Sequence, residues 1–130
     1  MILLDTHVVI WLAQNQQRIS SRARDAINGT REGGHGLAVS SMTLLELARL
    51  ASQKRIEFEP NLEDFLLDVE RRFAVLPITG RICVRAFEFP ASYPKDPADR
   101  VIGATAIIEG LDLVTADQAI RQSKAVSTIW

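Results

Sequence analysis

Short apolar runs of strand length alternate with helix-spaced stretches from one end of the chain to the other, and this alternation constrains the fold more than any other feature. "MILLD", "HGLAVS", "FAVLPI" and "LDLVTA" are too short for buried helices and have the character of strands covered on both faces, and "AVSTIW" allows a last one. Between them lie "THVVIWLAQ", a serine-capped stretch in "SSRARDAINGTREGG" closed by glycines, and "MTLLELARLASQK" with Leu44, Leu47, Leu50 and Ala51 at helical spacing. "NLEDFLLDVERR" follows with Asn61 as its cap and Leu62, Phe65, Leu66 and Val69 on one face; then come "GRICVRAFEF", a Pro-rich loop "PASYPK", "ADRVIGATAIIEG" ended by Gly110, and the short "DQAIRQ". Strands that alternate with helices in this way predict an α/β fold, a parallel sheet with helices on both faces. At 130 residues the chain suits one domain spanning 1–130.

Several classes of function drop out early. No apolar run approaches the length of a membrane span, and "MILLDTHVVIWLA" lacks the basic start and the cleavage site of a secretory signal, so a cytoplasmic protein without membrane contact is expected. The single cysteine, Cys83, excludes an internal disulfide and a Cys-rich zinc site and is expected to be buried. Fifteen basic against sixteen acidic residues leave a net charge of −1, so any phosphate-binding surface must be local. The basic clusters Arg18/Arg22/Arg24, Lys54/Arg55 and Arg71/Arg72 have the spacing of solvated helix faces. Glycine-rich phosphate cradles are absent. His7 stands where a haloacid-dehalogenase-like phosphatase would need its second aspartate, and the acids and late lysine of a response-regulator receiver are missing.

In doubly wound folds ligands bind beyond the carboxyl ends of the strands, and acids collect there. Asp5 closes the first strand, Glu46 lies in the helix entered from the second, Asp99 begins the helix before the fourth, and Asp117 follows the fourth. Each has a local explanation: Asp5 or Thr6 as a cap, Thr43 and Glu46 as a capping box in "TLLE", Asp99 near a helix dipole, and Asp117 as a cap of the last helix. Capping, however, accepts serine, threonine or asparagine equally well and does not ask for a carboxylate at every crossover. Four gathered carboxylates repel unless one is neutralised or a cation sits among them. Oxygen ligands without histidine or cysteine suit Mg²⁺ or Mn²⁺, and such an ion serves hydrolysis of a phosphodiester.

"LLDTHVVIWL", "SSMTLLEL", "DPADRVIGATA" and "LVTAD", in this order over essentially the whole chain, resemble the PIN-domain family, most closely the VapC-type toxins of prokaryotic toxin–antitoxin pairs. The resemblance implies an α/β/α sandwich with a central parallel sheet and a Mg²⁺- or Mn²⁺-dependent endoribonuclease site. Its four acids fall on Asp5, Glu46, Asp99 and Asp117, the hydroxyl after the first acid on Thr6, and the threonine of the last motif on Thr115. It further implies an RNA substrate, a cognate VapB-like antitoxin and a homodimer. The alternative is an inactive PIN-like module that holds RNA or a protein without cutting.

In "KDPADR" Asp96 is expected to cap a helix started by Pro97 and so to aim Asp99, or to support the metal from the same helix face. Arg100 either contacts substrate phosphate or, the favoured reading, pairs with a neighbouring acid. His7 is expected to be structural, His35 a loop residue, Ser40 and Ser41 caps, Trp11 part of a helix core face, and Trp130 packed on the fold or on a partner. "TLLELARLASQKRIEF" carries more apolar surface than a small sheet covers, as an interface would.

Overall fold

The computed structural model describes residues 1–130. In chain order the elements are β1 (Ile2–Leu4), α1 (Thr6–Gln14), α2 (Ser21–Glu32), β2 (Leu37–Ser40), α3 (Ser41–Ser52), α4 (Leu62–Arg72), β3 (Ala74–Leu76), α5 (Gly80–Ala86), α6 (Pro97–Glu109), β4 (Leu113–Val114), α7 (Gln118–Ser123) and β5 (Thr128–Ile129). One 3₁₀ turn, Gln16–Arg18, joins α1 to α2. The strands form a single parallel sheet in the order β3-β2-β1-β4-β5. Every strand expected from the apolar runs is present.

Residue alternation along the strands divides the core in two. Ile2, Leu4, Leu37, Val39 and Val114 point to one face, where α1, α2, α3 and α4 supply Val8, Val9, Ala23, Ile27, Leu47 and Val69. Leu3, Ala38 and Leu113 point to the other, covered by Ile82 and Ala86 of α5, Ile102, Ala104 and Ala106 of α6, and Ile120 of α7. The result is the expected α/β/α sandwich. Its layering follows from handedness: the chain winds outward from β1 to β2 and β3 with right-handed crossovers on one face, then returns past β1 to β4, which moves later crossovers to the opposite face. That reversal opens a crevice between β1 and β4, the switch point where doubly wound sheets bind ligands.

Three local expectations differ from what the sheet imposes. Cys83 is exposed rather than buried, because α5 turns Ile82 and Ala86, one helical turn apart, toward the sheet and leaves Cys83 and Val84 outside. The helix predicted in "GRICVRAFEF" stops at Ala86, and Phe89 instead stacks on Tyr93 with ring centroids 3.9 Å apart. Ser40 caps α3 by accepting the Met42 N–H, so Thr43 and Glu46 lie inside that helix and form no capping box.

Candidate active site

The site is built outward from Asp5, the residue that leaves β1. Its carboxylate accepts the Thr6 N–H at 2.8 Å on Oδ1 and the Thr115 hydroxyl at 2.7 Å on Oδ2, so the acid caps α1 and ties β1 to the chain beyond β4. Asp5 is only 4% exposed and Thr115 is fully buried, and their hydrogen bond satisfies both. The Thr115 oxygen also accepts the Asp117 N–H at 3.1 Å, while Asp117 Oδ1 accepts the Ile120 N–H at 3.0 Å and caps α7. One chain of hydrogen bonds therefore spans the β1/β4 crevice.

A second chain runs toward α3. The Thr6 hydroxyl donates to Glu46 Oε1 and lies 3.1 Å from the Thr43 hydroxyl. Thr6 has one O–H, given to Glu46, so Thr43 is the donor in the second contact. Glu46 and Thr43 share a face of α3 at i and i+3, and Arg49 reaches Glu46 Oε2 at 4.0 Å. A hollow of about 240 Å³, lined by Glu46, Arg49, Asp96 and Leu45 among others, opens beside them.

Asp99 arrives from α6. Asp96 Oδ1 accepts the N–H groups of Ala98 at 2.8 Å and Asp99 at 3.3 Å, with Pro97 at the first helical position, as the sequence predicts. The buried Tyr93 hydroxyl donates to the Asp99 carbonyl at 2.6 Å and fixes the same turn from outside. Tyr93 and Phe89 lie so close to α6 that a Cβ at Gly103 would overlap both rings, hence the glycine. Arg100 turns away, donating to the Ala86 carbonyl at 3.2 Å, and pairs with no acid, contrary to the favoured expectation. The α5 carboxyl end, packed against α6, offers its unpaired carbonyl within reach of the guanidinium.

The acids feel one another. Burial, then the charges of Asp5, Asp96, Asp117 and Glu46, push the Asp99 carboxyl from 3.8 up to about 7. Glu46 is raised as well, first by burial and then by Asp5 and Asp96, against the lowering effect of the Thr6 hydrogen bond and of Arg49. His7 is lowered by burial, which outweighs the nearby charges of Asp5 and Asp117. Its ring accepts the Ala116 N–H at 2.9 Å on Nε2, so the proton of the neutral ring sits on Nδ1, 3.7 Å from Asp5 Oδ2. The structural role expected of His7 is thus a specific one: it props the loop between Thr115 and Asp117.

The donor set fits a hard divalent cation. It consists of carboxylates and hydroxyls, holds no compensating lysine, and combines burial with negative charge so that one acid is pushed toward neutrality. No three acidic, histidine or cysteine side chains lie close enough to hold an ion by themselves, so waters or a phosphate would have to complete its coordination. Asp5, Glu46, Asp99 and Asp117 are the side chains that could hold it.

Sequence reasoning missed Tyr93, read as loop, and the Thr43–Thr6 contact. The signal for Tyr93 was a single aromatic in a Pro-rich segment three residues before the first acid of "DPADR"; Thr43 was marked only as one end of a capping box.

Fold and site together define an α/β/α protein with carboxylates gathered at the switch point of a parallel sheet. The chain belongs to the PIN domain family, which its residues 2–125 match. It is 37% identical over 131 aligned residues to Ribonuclease VapC22 of Mycobacterium tuberculosis, covering 99% of this chain and 98% of that protein. Among solved structures its fold is similar to VapBC2 from Rickettsia felis bound to a DNA fragment from their promoter, with a TM-score of 0.73 at 16% identity over 98% of this chain and 97% of the other. DNA-bound VapBC from Salmonella typhimurium is similar too, with a TM-score of 0.70 at 23% identity and the same coverage.

Proposed function

We propose that this protein is a ribonuclease, the toxin of a toxin–antitoxin pair, and that its 130 residues form one nuclease unit that hydrolyses RNA phosphodiester bonds with Mg²⁺ or Mn²⁺. The observation that carries this reading is the convergence on Asp99: its carboxyl is pushed to about 7 by burial first, and then by the charges of Asp5, Asp96, Asp117 and Glu46. A structural cap needs no such crowding. The 37% identity to a ribonuclease across the chain gives the crowding its chemical sense.

The assigned roles follow from the hydrogen bonds. Asp5 is held on both oxygens, by Thr6 and Thr115, and so keeps a fixed orientation at the centre of the crevice. Thr6 aligns Glu46, Thr115 aligns the backbone that carries Asp117, and Asp96 with Tyr93 sets the turn that presents Asp99. Asp99 makes no cap and no ion pair, which leaves its carboxylate free for a ligand. A divalent ion bound among these acids would lower the pKa of a water nucleophile and neutralise charge on the departing oxygen. A carboxylate that held the ion would have to be ionised, so Asp99, raised to about 7, would give up its share of a proton on binding near neutral pH.

The proposed partners are RNA as substrate, a cognate VapB-like antitoxin and a second copy of the chain. VapBC assemblies among the fold neighbours support the antitoxin. Exposed Leu45 on α3, Val84 on α5 and Phe87 just beyond it supply apolar surface for association. No helix is long and apolar enough to cross a membrane, consistent with the proposed cytoplasmic setting. The deciding experiment incubates purified protein with mixed RNA in Mg²⁺, Mn²⁺ or EDTA, beside an identically prepared Asp99→Asn variant. Metal-dependent cutting that the variant lacks is the expected result. A folded, antitoxin-free protein that cuts no RNA would favour the non-cleaving binding module.

A further inference from the structure

The roles above leave unused an aromatic cluster that adjoins the acids. Trp11 and Trp130 are the only tryptophans in the chain. Their ring centroids lie 5.8 Å apart, with the His7 ring 4.9 Å from Trp11 and 6.5 Å from Trp130. The Arg18 guanidinium carbon sits 4.2 Å from the centre of the Trp11 ring. Both indoles are half-buried, and Arg18 is exposed.

Topology brings this cluster to the acid edge. All strands run the same way, so Trp130 leaves the carboxyl end of β5 as Asp5 leaves that of β1. His7 is the shared wall: its ring touches Trp11 on one side, while Nε2 holds the Ala116 N–H and Nδ1 faces Asp5 on the other. A cation over a ring is ordinary, about one per 70–80 residues, and Arg85 over Phe89 is a second in this chain. The distinguishing facts are the position beside the carboxylates, the concentration of both tryptophans there, and an exposed cation on an accessible indole. Core packing accounts for the inner faces of the rings, which rest on the α1–α4 layer. It does not account for an exposed guanidinium held over the Trp11 ring. A solvent-reached indole is a platform for an unpaired nucleobase, and an adjacent guanidinium meets its phosphate; with Arg18 over Trp11, the half-buried Trp130 is the indole left for the base.

We propose that Trp11, Trp130 and Arg18 form a nucleotide subsite flanking the acid cluster, in which an unpaired base of single-stranded RNA stacks on indole and Arg18 contacts the adjoining phosphate. RNA as the ligand rests on the ribonuclease reading above. Paired bases hide their faces in the duplex, so this subsite selects single-stranded segments.

Because both tryptophans lie in the subsite, intrinsic fluorescence reports on it alone. The Asp99→Asn protein is titrated with a short single-stranded oligoribonucleotide and with an abasic oligoribonucleotide of equal length and charge. The expected result is saturable quenching by the first and little by the second. In the cleaving protein, Trp130→Leu keeps apolar bulk against Trp11 but removes a stacking face, and is expected to raise KM about fivefold or more with kcat little changed. Trp130→Tyr restores KM. Arg18→Gln, on an exposed turn, weakens binding and reduces the salt dependence by about one counterion.

Equal quenching by the abasic strand, or a wild-type KM in Trp130→Leu, would overturn the subsite while leaving the nuclease intact. Base-dependent quenching by a protein that cuts no RNA would support the subsite and sink the nuclease. If Trp130→Leu fails to fold, Arg18→Gln decides: unchanged affinity and salt dependence overturn the proposal.

Discussion

Replacing Asp99 with asparagine should stabilise the metal-free protein, although it removes a residue assigned to catalysis. The folded carboxyl sits at about 7 against 3.8 for an ordinary one. A group raised in this way binds its proton more tightly when folded, so its ionisation costs the fold increasingly as pH climbs from about 4 to about 7, and fully above that. The ceiling is about 4 kcal/mol, and partial solvent access to the side chain reduces it to about 1–2 kcal/mol. Asparagine has nearly the same shape and cannot ionise. For a chain of this size the gain is about 3–10 °C in Tm. Thermal unfolding followed by circular dichroism in EDTA, at about pH 5 and about pH 8, reads it directly. The variant should exceed wild type clearly at the higher pH and by much less at the lower one, and added Mg²⁺ should raise wild type toward the variant. A gap that is absent at pH 8, or identical at the two pH values, would mean that burial and the neighbouring acids do not raise the Asp99 carboxyl, and would remove the main support for the metal site.

Thr115→Val should cost about 1–3 kcal/mol in urea unfolding and weaken cleavage, because it leaves a buried Asp5 oxygen and the Asp117 N–H without their partner. Gly103→Ala, stabilising in an exposed helix, should here destabilise by about 1–3 kcal/mol, since the added methyl strikes Tyr93 and Phe89; a higher Tm than wild type would contradict the close packing. Asp96→Ala should lose about 1 kcal/mol with the α6 cap, while Asp96→Asn keeps the cap and removes a charge. In that second variant an NMR titration should find the Asp99 carboxyl lower than in wild type, because Asp96 is among the charges that raise it.

Strand and helix identities were legible because a parallel sheet covered on both sides demands continuous apolar runs, as in "MILL" and "LAVS". The positions of the four acids at strand ends were legible for the same reason. What could not be read was the partner of each side chain. Arg100 offered a choice of acids in sequence, but the carboxyl end of α5 placed the Ala86 carbonyl nearer. Thr43 and Glu46 have the spacing of a capping box, yet Ser40 won the cap, since it is the residue where the backbone leaves β2. Cys83 followed its general tendency to be buried until the register of α5 assigned the inward positions to Ile82 and Ala86. Tyr93 required the third dimension altogether: its value lies in a contact with a helix that begins four residues later.

The Asp5–Thr115 hydrogen bond joins residues 110 positions apart, at the middle of the sheet rather than its edge. It sets the order in which the molecule can come into being. A ribosome makes Asp5 well over a hundred residues ahead of Thr115 and Asp117, so β1, β2 and β3 with their helices emerge well before the strand that pairs with the open side of β1. Until β4 is inserted there is no crevice, and Asp5 and Glu46 face no opposing wall. A growing chain of this kind carries Asp5 and Glu46 harmlessly through the making of β2, β3 and their helices, and becomes complete as a site only once β4 and Asp117 have followed.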